Sequence, residues 1–185
     1  MSHHAVHYFF VKNFLLIQSR RNTETCAREQ ELFRRIMPPT VELRAYSALD
    51  ESLPWDRASD LLENIDGVLI GGSGDFDLHG GRADADPARI GARSILKRLQ
   101  PLIRFLLEHD IPTFGICFGH QLIAESQGGC VVHDKEQSKW GTHNVALHEN
   151  STDDDFFGVL PRLFEAQYGH NDSVTELPIG AIVLA

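Results

Sequence analysis

Chemistry concentrates in one stretch of this chain, Thr113-Phe114-Gly115-Ile116-Cys117-Phe118-Gly119-His120-Gln121, where a cysteine stands two residues from a glycine on either side. A short apolar run leads in, and a helical pattern from Gln121 to Gln127 leads out. Gly-X-Cys-X-Gly at a strand-to-helix turn is a nucleophile elbow. The reactive side chain occupies a strained tip, and its neighbours must be small for strand and helix to pass closely. A thiol there has the N-terminal N–H groups of the following helix beneath it, which favour thiolate over thiol. Cys117 is therefore the candidate nucleophile, expected to be acidic and reactive. The competing reading is a buried structural cysteine.

Acyl transfer through a thiol also needs a base and a carboxylate to orient it. The only His-X-Asp or His-X-Glu spacing after Cys117 is His170-Asn171-Asp172, so a local reading elects His170 as base and Asp172 as its orienter. His120, His133, His143 and His148 lack that spacing and are expected on the surface or in packing. A second glycine run, Gly71-Gly72-Ser73-Gly74, closes the apolar segment Val68-Leu69-Ile70. Its phosphate-binding reading fails because it has neither the lysine of a P-loop nor the dinucleotide spacing. In an elbow enzyme such a loop supplies N–H donors to the oxyanion formed when the thiolate attacks a carbonyl.

Gly-Ile-Cys-Phe-Gly-His-Gln at 115–121 resembles the nucleophile motif of the class I glutamine amidotransferases, in particular their free-standing GMP-synthase-like members. The resemblance extends to Asp66–Gly74 and to Gly169-His170-Asn171-Asp172-Ser173-Val174, and so covers the chain from about Phe14 onward. It implies a flavodoxin-like α/β fold and hydrolysis of the glutamine side-chain amide through a Cys117 thioester, with ammonia released. It assigns the oxyanion donors to Gly72 and Phe118 and the contact with bound glutamine to Gln121. The partners implied are a glutamine or γ-glutamyl peptide substrate and a separate synthetase subunit, with no metal or organic cofactor.

In similar proteins the base and its carboxylate belong to a His-Pro-Glu segment, which this sequence does not contain. Ala185 stands where the family continues toward it, so the resemblance implies a domain incomplete at its C-terminus. It also implies that the motif around His170 is a separate loop beside the active site. The alternative from another class is a catalytically incomplete glutamine-binding or regulatory subunit. A different thiol enzyme on a related sandwich would carry histidine directly after the nucleophile, where this chain has Phe118.

The elements that must position these residues follow from periodicity. The chain is 185 residues long, 42% hydrophobic and 23% charged, which suits one globular domain over residues 14–185 after a leader at 1–13. His3, His4 and His7 in that leader could be read as a metal tract, but a ragged terminus lacks fixed geometry. Phe14–Gln18, Thr40–Tyr46, Val68–Ile70 and Ile111–Cys117 read as strands of a mostly parallel sheet in a three-layer sandwich. Helices are expected at Glu24–Ile36, within Asp50–Asn64, and along a stripe through Ile95, Leu99, Leu102, Ile103, Leu106 and Leu107, with Pro101 a kink or break. Gly128-Gly129 ends the helix after the elbow.

Asp75, Asp77, Asp84 and Asp86 do not follow a calcium-loop pattern, so Gly74–Pro87 reads as a flexible surface insertion near the active-site rim. Val131–His133 and Asn144–Leu147 flank a polar stretch and are expected to pair antiparallel, with Trp140 and Gly141 at the turn or strand start. A helical turn at Asp153–Gly158 should point Phe156 and Phe157 inward. Strands are expected at Leu163–Tyr168 and Ala181–Leu184, the last leaving an apolar edge uncovered.

The bulk numbers narrow the partners. An excess of 26 acidic over 17 basic side chains, formal charge -9, repels nucleic acids and anionic membrane surfaces. Cys26, Cys117 and Cys130 give no disulfide framework or zinc pattern, and no apolar run spans a bilayer. A reducing cytoplasm fits best.

Overall fold

The computed structural model describes residues 11–185. The histidine tract and most of the expected leader lie outside the described residues. The described residues form two compact units, one made of residues 11–75 with Ser94–His120, the other of Phe76–Arg93 with Gln121–Ala185.

The first unit is built on a parallel sheet of β1 (Lys12–Gln18), β2 (Val41–Ser47), β3 (Gly67–Ile70) and β4 (Thr113–Gly115), in the order β2-β1-β3-β4. The two central strands carry the continuous apolar runs. Leu15, Leu16, Ile17, Val68, Leu69 and Ile70 are all buried, because a central parallel strand is covered on both faces. Each such aliphatic side chain contributes about 1.5–3 kcal/mol on burial. Edge strand β4 leaves Phe114 exposed.

Helix α1 (Thr23–Ile36) is capped by the Asn22 side chain, which accepts from the Thr25 amide, and stops before Pro38-Pro39. None of its residues is fully buried, and Leu32 and Ile36 are exposed. Helix α2 is a single turn, Ala58–Leu61.

Helix α3 runs Pro87–Glu108, so its first turns belong to the second unit. Its stripe is buried at Ile95, Leu99, Leu102, Ile103 and Leu106, but Leu107 is exposed, because it falls just past the edge of the covered arc. The helix continues through Pro101, whose ring faces solvent.

Helix α4 (Phe118–Ser126) begins at Phe118, three residues before the start that periodicity suggests. Past its end at Ser126, Gly128 at φ +84° turns the chain so that the Gly129 amide returns to the Ala124 carbonyl at 2.9 Å.

The second unit holds β5 (Cys130–His133), β6 (Lys139–Ala146), β7 (Leu163–His170) and β8 (Asp172–Glu176), and here the expected pairings are corrected. β5 pairs antiparallel with β8, and β6 with β7. The polar stretch between β5 and β6 is not their hairpin. Asp134 accepts from the Glu136 and Gln137 amides, and the resulting turn releases each strand to a distant partner.

Trp140 and Gly141 lie within β6, and β7 extends to His170. The Asp154 carboxylate holds the Phe156 and Phe157 amides at 2.9 and 2.7 Å, which turns Phe156 outward and leaves Phe157 half-buried. Residues 181–184 form no strand. Pro178 and Gly180, φ +86°, make a turn instead, and Ile182 and Val183 are exposed.

The acidic insertion is organised. Buried Arg89 donates to the Leu78 and Arg82 carbonyls at 3.1 and 2.9 Å and pairs with Asp84 at 2.8 Å, while Phe76 and Leu78 are buried. No helix among the described residues is long and apolar enough to cross a membrane.

Candidate active site

Between β4 and α4 the backbone turns at Cys117 with φ +49°, a left-handed conformation that a residue with a side chain adopts only under constraint. The constraint is visible on both sides. The Ile116 amide donates to the Ile70 carbonyl at 2.9 Å, extending β4 along β3, and the Gly119 amide turns back to the Ile116 carbonyl at 2.9 Å. A methyl group on Gly119 would lie 2.0 Å from the Ile70 oxygen, so only glycine lets the helix start this close to the strand. The outcome is a tight strand-turn-helix corner whose tip residue, Cys117, is exposed while Phe118 beside it is 1% exposed.

The glycine exit of β3 meets this corner. A methyl group on Gly72 would lie 3.5 Å from Cβ of Cys117 and 3.5 Å from the Ile116 oxygen. With no side chain at 72, its main chain and the Cys117 Cβ are neighbours, an arrangement able to direct N–H groups at an oxyanion. Ser73 and Asp75 stiffen the loop, since the Asp75 amide donates to Ser73 Oγ and the Asp75 carboxylate accepts from the Arg21 amide, both at 3.0 Å. Gly72, Cys117 and Phe118 thus come together within the first unit.

Gln121, His170 and Asp172 belong to the second unit. Gln121 is buried, and its Nε2 donates to the Asp172 main-chain carbonyl at 2.9 Å. The Asp172 carboxylate, 2% exposed, accepts from the His79 and Gly80 amides at 2.8 and 2.6 Å, with His133 Nδ1 at 3.9 Å. His170 Nδ1 lies 3.1 Å from the Asp172 carbonyl oxygen, so the atom that fixes this ring is a main-chain oxygen. His143 and His170 flank the Tyr168 ring with centroids 5.6 and 5.7 Å away. Among the described residues no group of three or more His, Cys, Asp or Glu could hold a metal ion.

Sequence reasoning missed the polar cluster behind the glycine exit. Buried Gln18 donates to Glu29 at 2.8 Å, Arg20 donates to the same carboxylate at 2.9 and 3.1 Å, and Gln30 donates to Gln18 at 2.8 Å. The available signal was Gln18-Ser19-Arg20 ending an otherwise apolar central strand. The clamp of Asp172 on residues 79 and 80, over 90 positions away in sequence, had no local signal.

Comparison with known proteins supplies the family. A glutamine-hydrolysing GMP synthase of Thermosipho africanus is 30% identical over 153 residues, covering 82% of this chain and 25% of the relative. One subunit of the glutamine-hydrolysing GMP synthase from Methanothermobacter thermautotrophicus is 33% identical over 102 residues, 55% of this chain and 53% of the relative. The matches cover between 15% and 53% of the length of the curated relatives.

A glutamine amidotransferase crystal structure from Thermotoga maritima superposes with TM-score 0.65 at 21% identity, covering 94% of this chain and 66% of that one. That likeness establishes the fold as α/β and flavodoxin-like, as the sequence motifs imply. The sequence profile of the family described as glutamine amidotransferase class-I matches residues 40–185, and the chain accordingly belongs to the class I glutamine amidotransferases.

Proposed function

We propose that this domain hydrolyses the side-chain amide of glutamine through a thioester on Cys117. The thiolate adds to the amide carbon, and the oxyanion is held by the Gly72 and Phe118 N–H groups. The C–N bond then breaks as the nitrogen takes a proton and leaves as ammonia. Water next adds to the thioester, releasing glutamate and the thiol. Gln121 is assigned the contact with bound glutamine. The observation that carries the reading is the left-handed backbone at an exposed Cys117 with side-chain-free Gly72 against it.

The local candidate for the base is His170. With Nδ1 donating to the Asp172 carbonyl, it would exchange protons through Nε2. Relatives whose names make them one subunit of GMP synthase favour a second, synthetase subunit that consumes the ammonia. Cysteines that form no disulfide suit a reducing cytoplasm.

One observation favours a second reading, a glutamine-binding subunit without turnover. The Asp172 carboxylate is engaged by the His79 and Gly80 amides and so does not orient His170. Ammonia release from glutamine and from a γ-glutamyl peptide, measured for the parent, Cys117→Ser and His170→Asn, decides between them. Turnover is expected in the parent and none in Cys117→Ser. Glutamine binding by the parent without ammonia from either substrate would favour the second reading.

A further inference from the structure

Strand β1 is apolar from Phe14 to Ile17 and then turns polar while still buried at Gln18. Gln18 Nε2 donates to the Cys26 carbonyl at 2.9 Å and to Glu29 Oε2 at 2.8 Å, and Arg20 donates through Nε and Nη2 to Glu29 Oε1. The Arg20 and Glu29 side chains are only 23% and 11% exposed. The carboxylate lies against Gly71, where a methyl group would meet Oε1 at 3.2 Å and Oε2 at 3.4 Å. The guanidinium lies by the next glycine. Its Nη2 is 3.9 Å from the position of a Gly72 methyl, the same point that is 3.5 Å from Cβ of Cys117. The pair therefore stands behind the glycine exit, with its cationic end toward the thiol.

Holding the loop does not by itself account for charged residues. A largely buried ion pair of this kind contributes little to stability compared with apolar side chains of the same shape. Charge does matter beside a group that cycles between thiolate, oxyanion and neutral thioester. We propose that Arg20 and Glu29 are positioning residues of the Cys117 site: Glu29 fixes the guanidinium against the glycine exit, and the cationic end of the pair stabilises negative charge forming on Cys117 and its oxyanion. This rests on the reading of Cys117 as the nucleophile.

Two other titratable side chains near the pair are Cys26 and Asp75. Cys26 Sγ donates to the Arg20 carbonyl at 3.8 Å, and Asp75 accepts from the Arg21 amide. Burial pushes the Cys26 thiol up, Glu29 pushes it further, Arg20 pulls it down, and Asp75 raises it again. Cys26 is thus a built-in reporter of the same two charges.

The test follows alkylation by iodoacetamide as a function of pH, cysteine by cysteine, by mass spectrometry of the full 185-residue chain. Glu29→Gln, Arg20→Gln and the double variant are compared with the parent. A guanidinium within about 7.5 Å of the thiol carbon, at an effective dielectric constant of about 20, corresponds to about 1.5 pH units, and solvent at the exposed thiol brings this to about one.

Glu29→Gln leaves the cation uncompensated and lowers the Cys117 midpoint, by less than about one unit because the carboxylate stands farther from the thiol than the guanidinium. Arg20→Gln raises it, and also lowers kcat for glutamine by about tenfold with KM nearly unchanged. The double variant loses the net attraction of the pair and leaves the midpoint above that of the parent but below that of Arg20→Gln. Should Glu29→Gln fail to fold, Arg20→Gln against charge-retaining Arg20→Lys decides, with only the first moving the midpoint. Cys117 midpoints that stay fixed while those of Cys26 move overturn the role of the ion pair. Turnover that survives in Cys117→Ser overturns the underlying reading instead.

Discussion

Replacing Gly119 with alanine tests the corner where β3, β4 and α4 meet. The new methyl group would sit 2.0 Å from the Ile70 oxygen and 2.7 Å from the Ile70 carbonyl carbon. A relaxed carbon–oxygen contact is about 3.2 Å or more, so main chain must move by about 1.2 Å, and no rotamer change can relieve it. Ile70 is fully buried in a central strand, and its oxygen accepts the Ile116 amide.

Overpacking of this kind costs about 1–3 kcal/mol, and disrupting the Ile116–Ile70 hydrogen bond adds about 1 kcal/mol. At about 2–4 °C per kcal/mol for a chain of this size, a loss near 3 kcal/mol lowers the unfolding midpoint by about 6–12 °C. Calorimetry reads the shift directly, and alkylation of Cys117 reports whether the tip has moved with it. Gly74→Ala is the control, since nothing lies within 4 Å of a methyl group there, and it is expected to change stability by no more than about 0.5 kcal/mol. A Gly119→Ala protein melting within about 2 °C of the parent would refute the close approach of helix and strand.

Two further outcomes are expected. Asp172→Asn removes a buried acceptor of two amide hydrogen bonds and replaces one oxygen with a donor facing an N–H. A loss of about 2–3 kcal/mol follows, measured by urea unfolding. The Asp66 carboxyl is held below its ordinary range, first by the hydrogen bond from Lys12 and then by the Asn13 amide. Its folded form loses the proton more readily, so its contribution to stability is present above the unfolded carboxyl value of about 4 and disappears as the pH falls through the lower folded value. Asp66→Asn should therefore lower the urea midpoint at about pH 7 and lower it less as the pH falls toward about 2, and equal losses at both values would contradict the linkage.

Local sequence determined the elements of the first unit and the position of the corner. Runs such as Leu15-Leu16-Ile17 and Val68-Leu69-Ile70 announce central parallel strands, because a strand covered on both faces needs no polar alternation. Cys117 was legible because an elbow demands small residues at fixed offsets. The departures share one cause, that the deciding partner is distant in sequence.

β5 and β6 look like a hairpin from their patterns, yet Val131 pairs with Val174 and Val145 with Phe164, since cross-strand packing outweighs proximity along the chain. The Asp-rich insertion looks flexible until Arg89 and Asp172 bind its carbonyls and amides. Arg20 and Glu29 look like surface charges of a loop and a helix. Only tertiary structure half-buries and pairs them behind Gly71 and Gly72, because burial and pairing depend on which elements pack together, and residue type alone does not fix that.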